Sequence, residues 1–214
     1  MPGNSPDKLA SVRWLAELCG AADASTPRPC LASEMLADPQ CVTPTRDYIT
    51  WWMRHPDAGS TFESRTSVLH EFSDEAAIAL LAQRGYEGLI YPVGDDIAGH
   101  VFFQNHGSEA SAFSAAVTER YRGGKWWLAF TLDFVALAAS ASCNRRVSVG
   151  TGRSHLTRLL VKLLQPHASS LGWQVNDDGW IDFAREGQLD PHVVRDRPDA
   201  VENPRGMPGP CASF

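Results

Sequence analysis

At 214 residues and 43% hydrophobic content, the chain is long enough for one domain with a sizeable core. A formal net charge of −6 argues against a general nucleic-acid binder, and no run approaches the ~18–20 apolar residues that span a bilayer. The five cysteines (Cys19, Cys30, Cys41, Cys143 and Cys211) are odd in number and include no C-x-x-C pair. That fits a reducing cytosol better than a disulfide framework, and the first eight residues carry no apolar signal core.

Residues 6–19 place Leu9, Val12, Leu15, Ala16 and Cys19 at helical spacing, which predicts a short helix. Residues 21–44 are rich in Pro, Ser and Thr and read as a loop with one helical turn at 32–37. Residues 45–54 read as a helix with Thr45 as its N-cap, broken by the segment from His55 to Gly59. Residues 73–84 form a capped helix that Gly85 stops. Two strands follow, 88–93 and 97–104, around a Gly94-Asp95-Asp96 turn, and Asn105-His106-Gly107-Ser108 makes a second turn.

The run AFSAAV, residues 112–117, is a short strand. Arg120-Tyr121-Arg122-Gly123-Gly124-Lys125 then forms a tight cationic turn, and residues 126–139 form an apolar helix. Residues 146–149 are another strand. Residues 154–165 are an amphipathic helix with Leu156, Leu159, Leu160, Leu163 and Leu164 on one face, ended by Pro166. Trp173–Val175 and Trp180–Phe183 flank a last hairpin turn. Residues 185–214, with five prolines, many charges and few apolar residues, read as a mobile tail.

A strand that runs through a basic glycine turn into a helix is suited to an anion. The turn's N–H groups and the positive helix end converge, and glycine lets a phosphate come close. The expected ligand is therefore a phosphate-bearing cofactor, with Arg120, Arg122 and Lys125 as a positive island in an acidic chain. The bland alternative is an ordinary solvent-exposed turn.

The segment from Val117 to Leu128 resembles the acyl-CoA loop of GCN5-related N-acetyltransferases. In that family a strand ending in Val leads into an (Arg/Gln)-x-x-Gly-x-(Gly/Ala) loop and then a helix. The resemblance covers roughly residues 46–184. It implies an α/β fold built on a mixed, mostly antiparallel sheet with helices on both faces. It divides the chain into an extension (1–45), an acyltransferase-like domain (46–184) and the tail (185–214). It also implies an acyl-CoA-dependent N-acyltransferase that takes acetyl-CoA or another acyl-CoA and acts on a small-molecule or protein amine. Neither nucleic acid nor membrane is expected as a partner, and a homodimer stays open.

On that resemblance Ala115, Ala116 and Val117 face the pantetheine and the reacting carbonyl. Arg120, Arg122, Gly123, Gly124, Lys125 and Trp126 hold the phosphates. Two departures stand out. A bulky residue, Lys125 or Trp127 according to register, occupies the closing small position of the loop. The family's frequent tyrosine general acid is also missing from residues 155–165. Candidate bases are His155, at the start of the last helix, and Glu119, beside the loop. Each reads more simply as a solvated surface residue. His100 reads as a satisfied histidine of an apolar strand and His106 as a solvated turn residue. The pairs Trp51-Trp52 and Trp126-Trp127 read as core packing, or as one buried ring and one groove-lining ring, because adjacent helical residues face about 100° apart. Two rivals remain. One is an enzyme using a longer acyl-CoA or an acyl carrier protein. The other is a degenerate acetyltransferase-like binding module.

Overall fold

The computed structural model describes residues 9, 11–54, 75, 78–79, 85–122, 125–141, 143–149, 155–177 and 179–183. In chain order these give α1 (Trp14–Leu18), β1 (Cys30–Leu31), α2 (Ala32–Ala37), α3 (Val42–Arg54), β2 (Tyr86–Val93), β3 (Asp96–His106) and β4 (Glu109–Val117). A 3-10 turn (Glu119–Tyr121), α4 (Trp126–Ser140), β5 (Arg146–Ser148), α5 (His155–Leu171), β6 (Trp173–Val175) and β7 (Trp180–Phe183) follow. The seven strands form one sheet in the order β1-β2-β3-β4-β5-β7-β6. Only β4 and β5 run parallel; every other neighbouring pair is antiparallel. The expected α/β class, with a mixed and mostly antiparallel sheet, is what the chain adopts.

Alternation along the strands sends side chains to two separate cores. Leu89 and Tyr91, Val101 and Phe103, and Ala115 and Val117 enter one core, with Phe130 and Phe134 of α4, Leu15 and Ala16 of α1, and Leu160 and Leu164 of α5. The alternate residues Ile90, Phe102 and Ala116 enter the other, with Met35 of α2 and Tyr48, Ile49 and Trp52 of α3. This period of two is the reason helices cover both faces. Helix α4 is buried continuously from Ala129 to Ala138, which is why its sequence is apolar all round.

Several local expectations change. Helix α3 starts at Val42, not at a Thr45 cap, and Thr45 is fully buried inside it. Pro44 falls in the first turn, where a missing N–H costs the helix no bond. Cys30–Leu31, expected as loop, pairs with Leu89 and Ile90 as an edge strand. The N–H and hydroxyl of Ser33, at the start of α2, both donate to the Glu87 carboxylate. Pro166 does not end α5. The helix runs on to Leu171 because Ala168 is buried and Leu171 packs on the core, and Gly172, at φ 68°, stops it.

The division at residue 45 does not separate two packing units. Val12, Leu15, Ala16, Ala21 and Leu31 belong to the core of the α4 face, and β1 is part of the sheet. The expected helix at 73–84 lies outside the described residues except for Glu75, Ile78 and Ala79, which are helical. The glycine pair Gly123-Gly124, the segment from His55 to Gly59 and the tail at 185–214 lie outside them entirely.

Gly99 shows how closely β3, β4 and α4 approach at the Val117 end of β4. A Cβ there would lie 2.2 Å from the Ala116 carbonyl oxygen and 2.8 Å from the Phe130 ring. Both neighbours are held, one by the backbone ladder and the other by stacking on Tyr91 at 3.5 Å. Gly99→Val is expected to destabilise the fold by about 1–3 kcal/mol or more, the usual cost of overpacking. The readout is the midpoint of urea unfolding, and an unchanged midpoint would show that the strands can part freely here.

Candidate functional site

Strand β4 pairs with β5 only over residues 109–111. From Ala112 to Val117 its β5-side edge has no strand partner among the described residues. The direction of each amide along this stretch follows from the antiparallel ladder. Thr118 N–H donates to the Ala98 carbonyl at 2.8 Å, and His100 is aligned with Ala116. Bonded pairs alternate, so the peptide groups of Ser114 and Ala116 face β3, and those of Ala115 and Val117 face the open edge. The Val117 carbonyl confirms this sense by accepting the Arg122 Nε–H at 3.1 Å. The side chains of Ala112, Ala115 and Ala116 are small. A bulge lies upstream: Phe103 is aligned with Ala112 and Phe102 with Ser114, so Phe113 is the extra residue.

The open edge leads through the 3-10 turn to the N-terminus of α4. That helix has no carboxylate in its first turn and no side-chain cap. Its first intrahelical bond is Ala129 N–H to the Lys125 carbonyl at 3.1 Å. The amides of Trp126, Trp127 and Leu128 therefore have no acceptor within the helix and a positive helix end behind them. An edge of outward amides next to an uncapped, cation-flanked helix start suits an extended amide-bearing chain that ends in phosphates.

The cations of the turn are differently engaged. Arg120, exposed, places Nη1 2.7 Å from Asp96 Oδ2. Arg122 reaches back to Val117. Lys125 Nζ donates to the Gly20 carbonyl at 3.2 Å from an exposed position. Trp126 and Trp127 are both half-buried against the core of the α4 face, and the Trp126 ring stacks on Tyr121 at 5.5 Å. Of the other tryptophan pair, Trp52 is buried and Trp51 is 44% exposed. Both candidate bases are exposed: Glu119 in the 3-10 turn and His155 as the first residue of α5.

On the opposite face of the sheet lies a polar network that the sequence reading missed. His100 is fully buried. Its Nδ1 lies 2.7 Å from the Tyr48 hydroxyl and its Nε2 2.7 Å from Ser114 Oγ. The Trp52 indole N–H donates to the same Ser114 oxygen at 3.2 Å. Burial pushes the His100 pKa down to about 3 and the Tyr48 pKa well up. The imidazole is thus neutral, saturated by partners and closed to solvent. It is the satisfied core histidine of the bland reading and a poor general base. Two polar residues, His100 and Ser114, inside apolar strands were the visible signal. Their partnership depended on strand register.

A second buried group was also missed. Asp133, fully buried in α4, pairs with Arg13 Nη2 at 2.8 Å and accepts the Tyr91 hydroxyl at 3.1 Å. Burial raises its pKa to about 7 against the attraction of Arg13. Asp133 is the lone charged residue in an apolar helix, and such a charge requires a partner.

No protein-family model matches the chain, and no curated protein matches its sequence. Among solved structures, its fold is similar to the crystal structure of GCN5 from Tetrahymena, with 11% identity, a TM-score of 0.36, and coverage of 56% of this chain and 67% of that one. What this chain shows directly is an α/β fold with an antiparallel β2-β3-β4 meander, a parallel β4–β5 pairing limited to residues 109–111 of β4 among the described residues, and helix α4 following the end of β4.

Proposed function

We propose that this protein is an acyl-CoA-dependent N-acyltransferase, with acetyl-CoA as donor and a small-molecule or protein amine as acceptor, acting in the cytosol. The supporting observation is the open edge of β4, whose outward peptide groups at Ala115 and Val117 lead straight into the uncapped start of α4. An acyl-CoA would supply the activated thioester. Ala115 and Val117 would hold its amide-bearing arm by strand-like hydrogen bonds, and an outward amide would also donate to the developing oxyanion. Arg122, Lys125 and the first amides of α4 would receive the phosphates, with Arg120 and Trp126 beside them.

Positioning supplies much of the rate in such a transfer. The acceptor amine must lose a proton to attack. With His100 sealed in the core, the exposed His155 and Glu119 are the candidates to take it among the described residues. The nitrogen would then bond to the acyl carbon as the carbon–sulfur bond breaks, and the departing CoA thiolate would take a proton. No second reading gains a specific observation. The half-buried stance of Trp126 and Trp127 against the core weighs for an open cofactor groove and against a blocked, degenerate module.

Arg122→Ala is expected to weaken CoA binding by about 1–3 kcal/mol, the worth of a charge-assisted hydrogen bond. Isothermal titration of CoA into wild type and variant measures this. Absence of CoA binding to the wild type would remove the acyltransferase reading altogether.

A further inference from the structure

Asp96 opens β3 at the β2–β3 turn, and its carboxylate gathers three groups. Oδ2 pairs with Arg120 Nη1 at 2.7 Å and accepts the Tyr121 hydroxyl at 3.1 Å, while Oδ1 accepts the Ile97 N–H at 2.8 Å. The Arg120 guanidinium also lies 5.0 Å over the Tyr121 ring. That ring also stacks on Trp126, the first residue of α4, and Trp126 in turn tilts against Phe130, which is stacked on Tyr91 of β2. One continuous set of contacts therefore runs from the hairpin turn, through the segment that links β4 to α4, and back to the sheet.

We infer that Asp96 is a positioning residue for the cofactor turn, and that Arg120 serves this anchor and not the phosphates. This rests on the acyltransferase reading. The Arg120–Asp96 pair is exposed, so by charge alone it contributes little. Its effect is geometric. It fixes Tyr121, and through Tyr121 it fixes Trp126 and hence the start of α4, where the helix amides would meet phosphate. The anchored Arg120 has its charge cancelled in place, which leaves Arg122 and Lys125 as the cations of the site.

The alternative is opposite in sign. If Arg120 were a phosphate ligand that Asp96 merely occupies, removing the carboxylate would release a cation and delete a repelling charge, and CoA would bind more tightly. Asp96→Ala is therefore expected to weaken CoA about fivefold, the loss of one such hydrogen bond. Tyr121→Phe should weaken it in the same direction, and the double variant should be little worse than Asp96→Ala, because both act through one contact chain. Tighter binding by Asp96→Ala, or full additivity of the two changes, overturns the inference.

Hydrogen exchange of the free protein gives a readout that needs no CoA. The amides of Tyr121, Arg122 and Ala129, each bonded to a carbonyl of the turn, should exchange faster in Asp96→Ala, while those of β3 and β4 stay protected. Unchanged exchange at those three amides sinks the anchor even if CoA binding falls. If the wild type binds no CoA, the acyltransferase reading fails and the anchor's role at a cofactor site falls with it. The exchange data then still decide whether the anchor exists.

Discussion

Arg13→Met should cost about 3–5 kcal/mol of stability near pH 8, the range for breaking a buried pair by removing one partner. The variant leaves the Asp133 carboxylate, fully buried, without its 2.8 Å counter-charge. It also strips the Pro27 carbonyl of a 2.6 Å donor. The pH dependence follows from the direction of the Asp133 shift. Its folded pKa, about 7, lies above the ordinary 3.8. The folded state thus takes up the proton first as pH falls, so stability is regained from about 7 down towards 3.8 and lost on the way up. Without Arg13 the carboxyl rises further, so the penalty should be greatest in alkali and should shrink near pH 5. The double variant Arg13→Met/Asp133→Leu removes both charges and should recover most of the loss, since an apolar replacement of a buried pair is often neutral or better. Urea unfolding of the three proteins at the two pH values tests this. A single variant as stable as wild type near pH 8, or a double variant as poor as the single, would contradict it.

The same pair shows where sequence reading stops. The elements around the site were legible because each is local. AFSAAV carries β-type apolar continuity, WWLAFTLDFVALAA has helical length, and the Gly94-Asp95-Asp96 turn with Gly94 at φ 61° has a conformation that favours glycine. The strand–turn–helix order that carries the acetyltransferase resemblance is a string of such local signals. What was not legible is non-local. Arg13 meets Asp133 across 120 positions, Tyr48 meets His100 across 52, and the register that puts His100 beside Ser114 passes through a bulge at Phe113. Pro166 was misread as ending its helix, and Pro44, placed at the end of the loop 21–44, falls inside α3. Pro44 was harmless because it sits in a first turn. Pro166 was tolerated because the helix beyond it buries Ala168.

Replacing His100 should produce the second large effect. His100→Phe preserves most of the ring volume and its stacking on Phe102 at 4.0 Å. It leaves the Tyr48 hydroxyl without its 2.7 Å partner and Ser114 Oγ with only the Trp52 donor. A buried hydroxyl left unsatisfied costs about 1–3 kcal/mol, and two are affected here, so a loss of about 2–4 kcal/mol near neutral pH is expected. His100→Ala adds a cavity and should be worse. The wild-type network carries its own pH signature. The folded pKa of about 3 is below the ordinary 6.5, so the unfolded chain binds the proton first, and stability is lost as pH falls from about 6.5 towards 3 at up to about 1.4 kcal/mol per pH unit. Over much of that window Asp133 acts with the opposite sign, and the wild-type profile should be flatter than either group alone would make it. His100→Phe should therefore do two things: lower stability near pH 7, and uncover the Asp133 gain as a stability that rises on acidification to about pH 5. Asp133→Asn should steepen the acid loss instead. Urea midpoints measured across this range decide the matter, and a His100→Phe profile parallel to that of the wild type would show that the imidazole is not held neutral by burial.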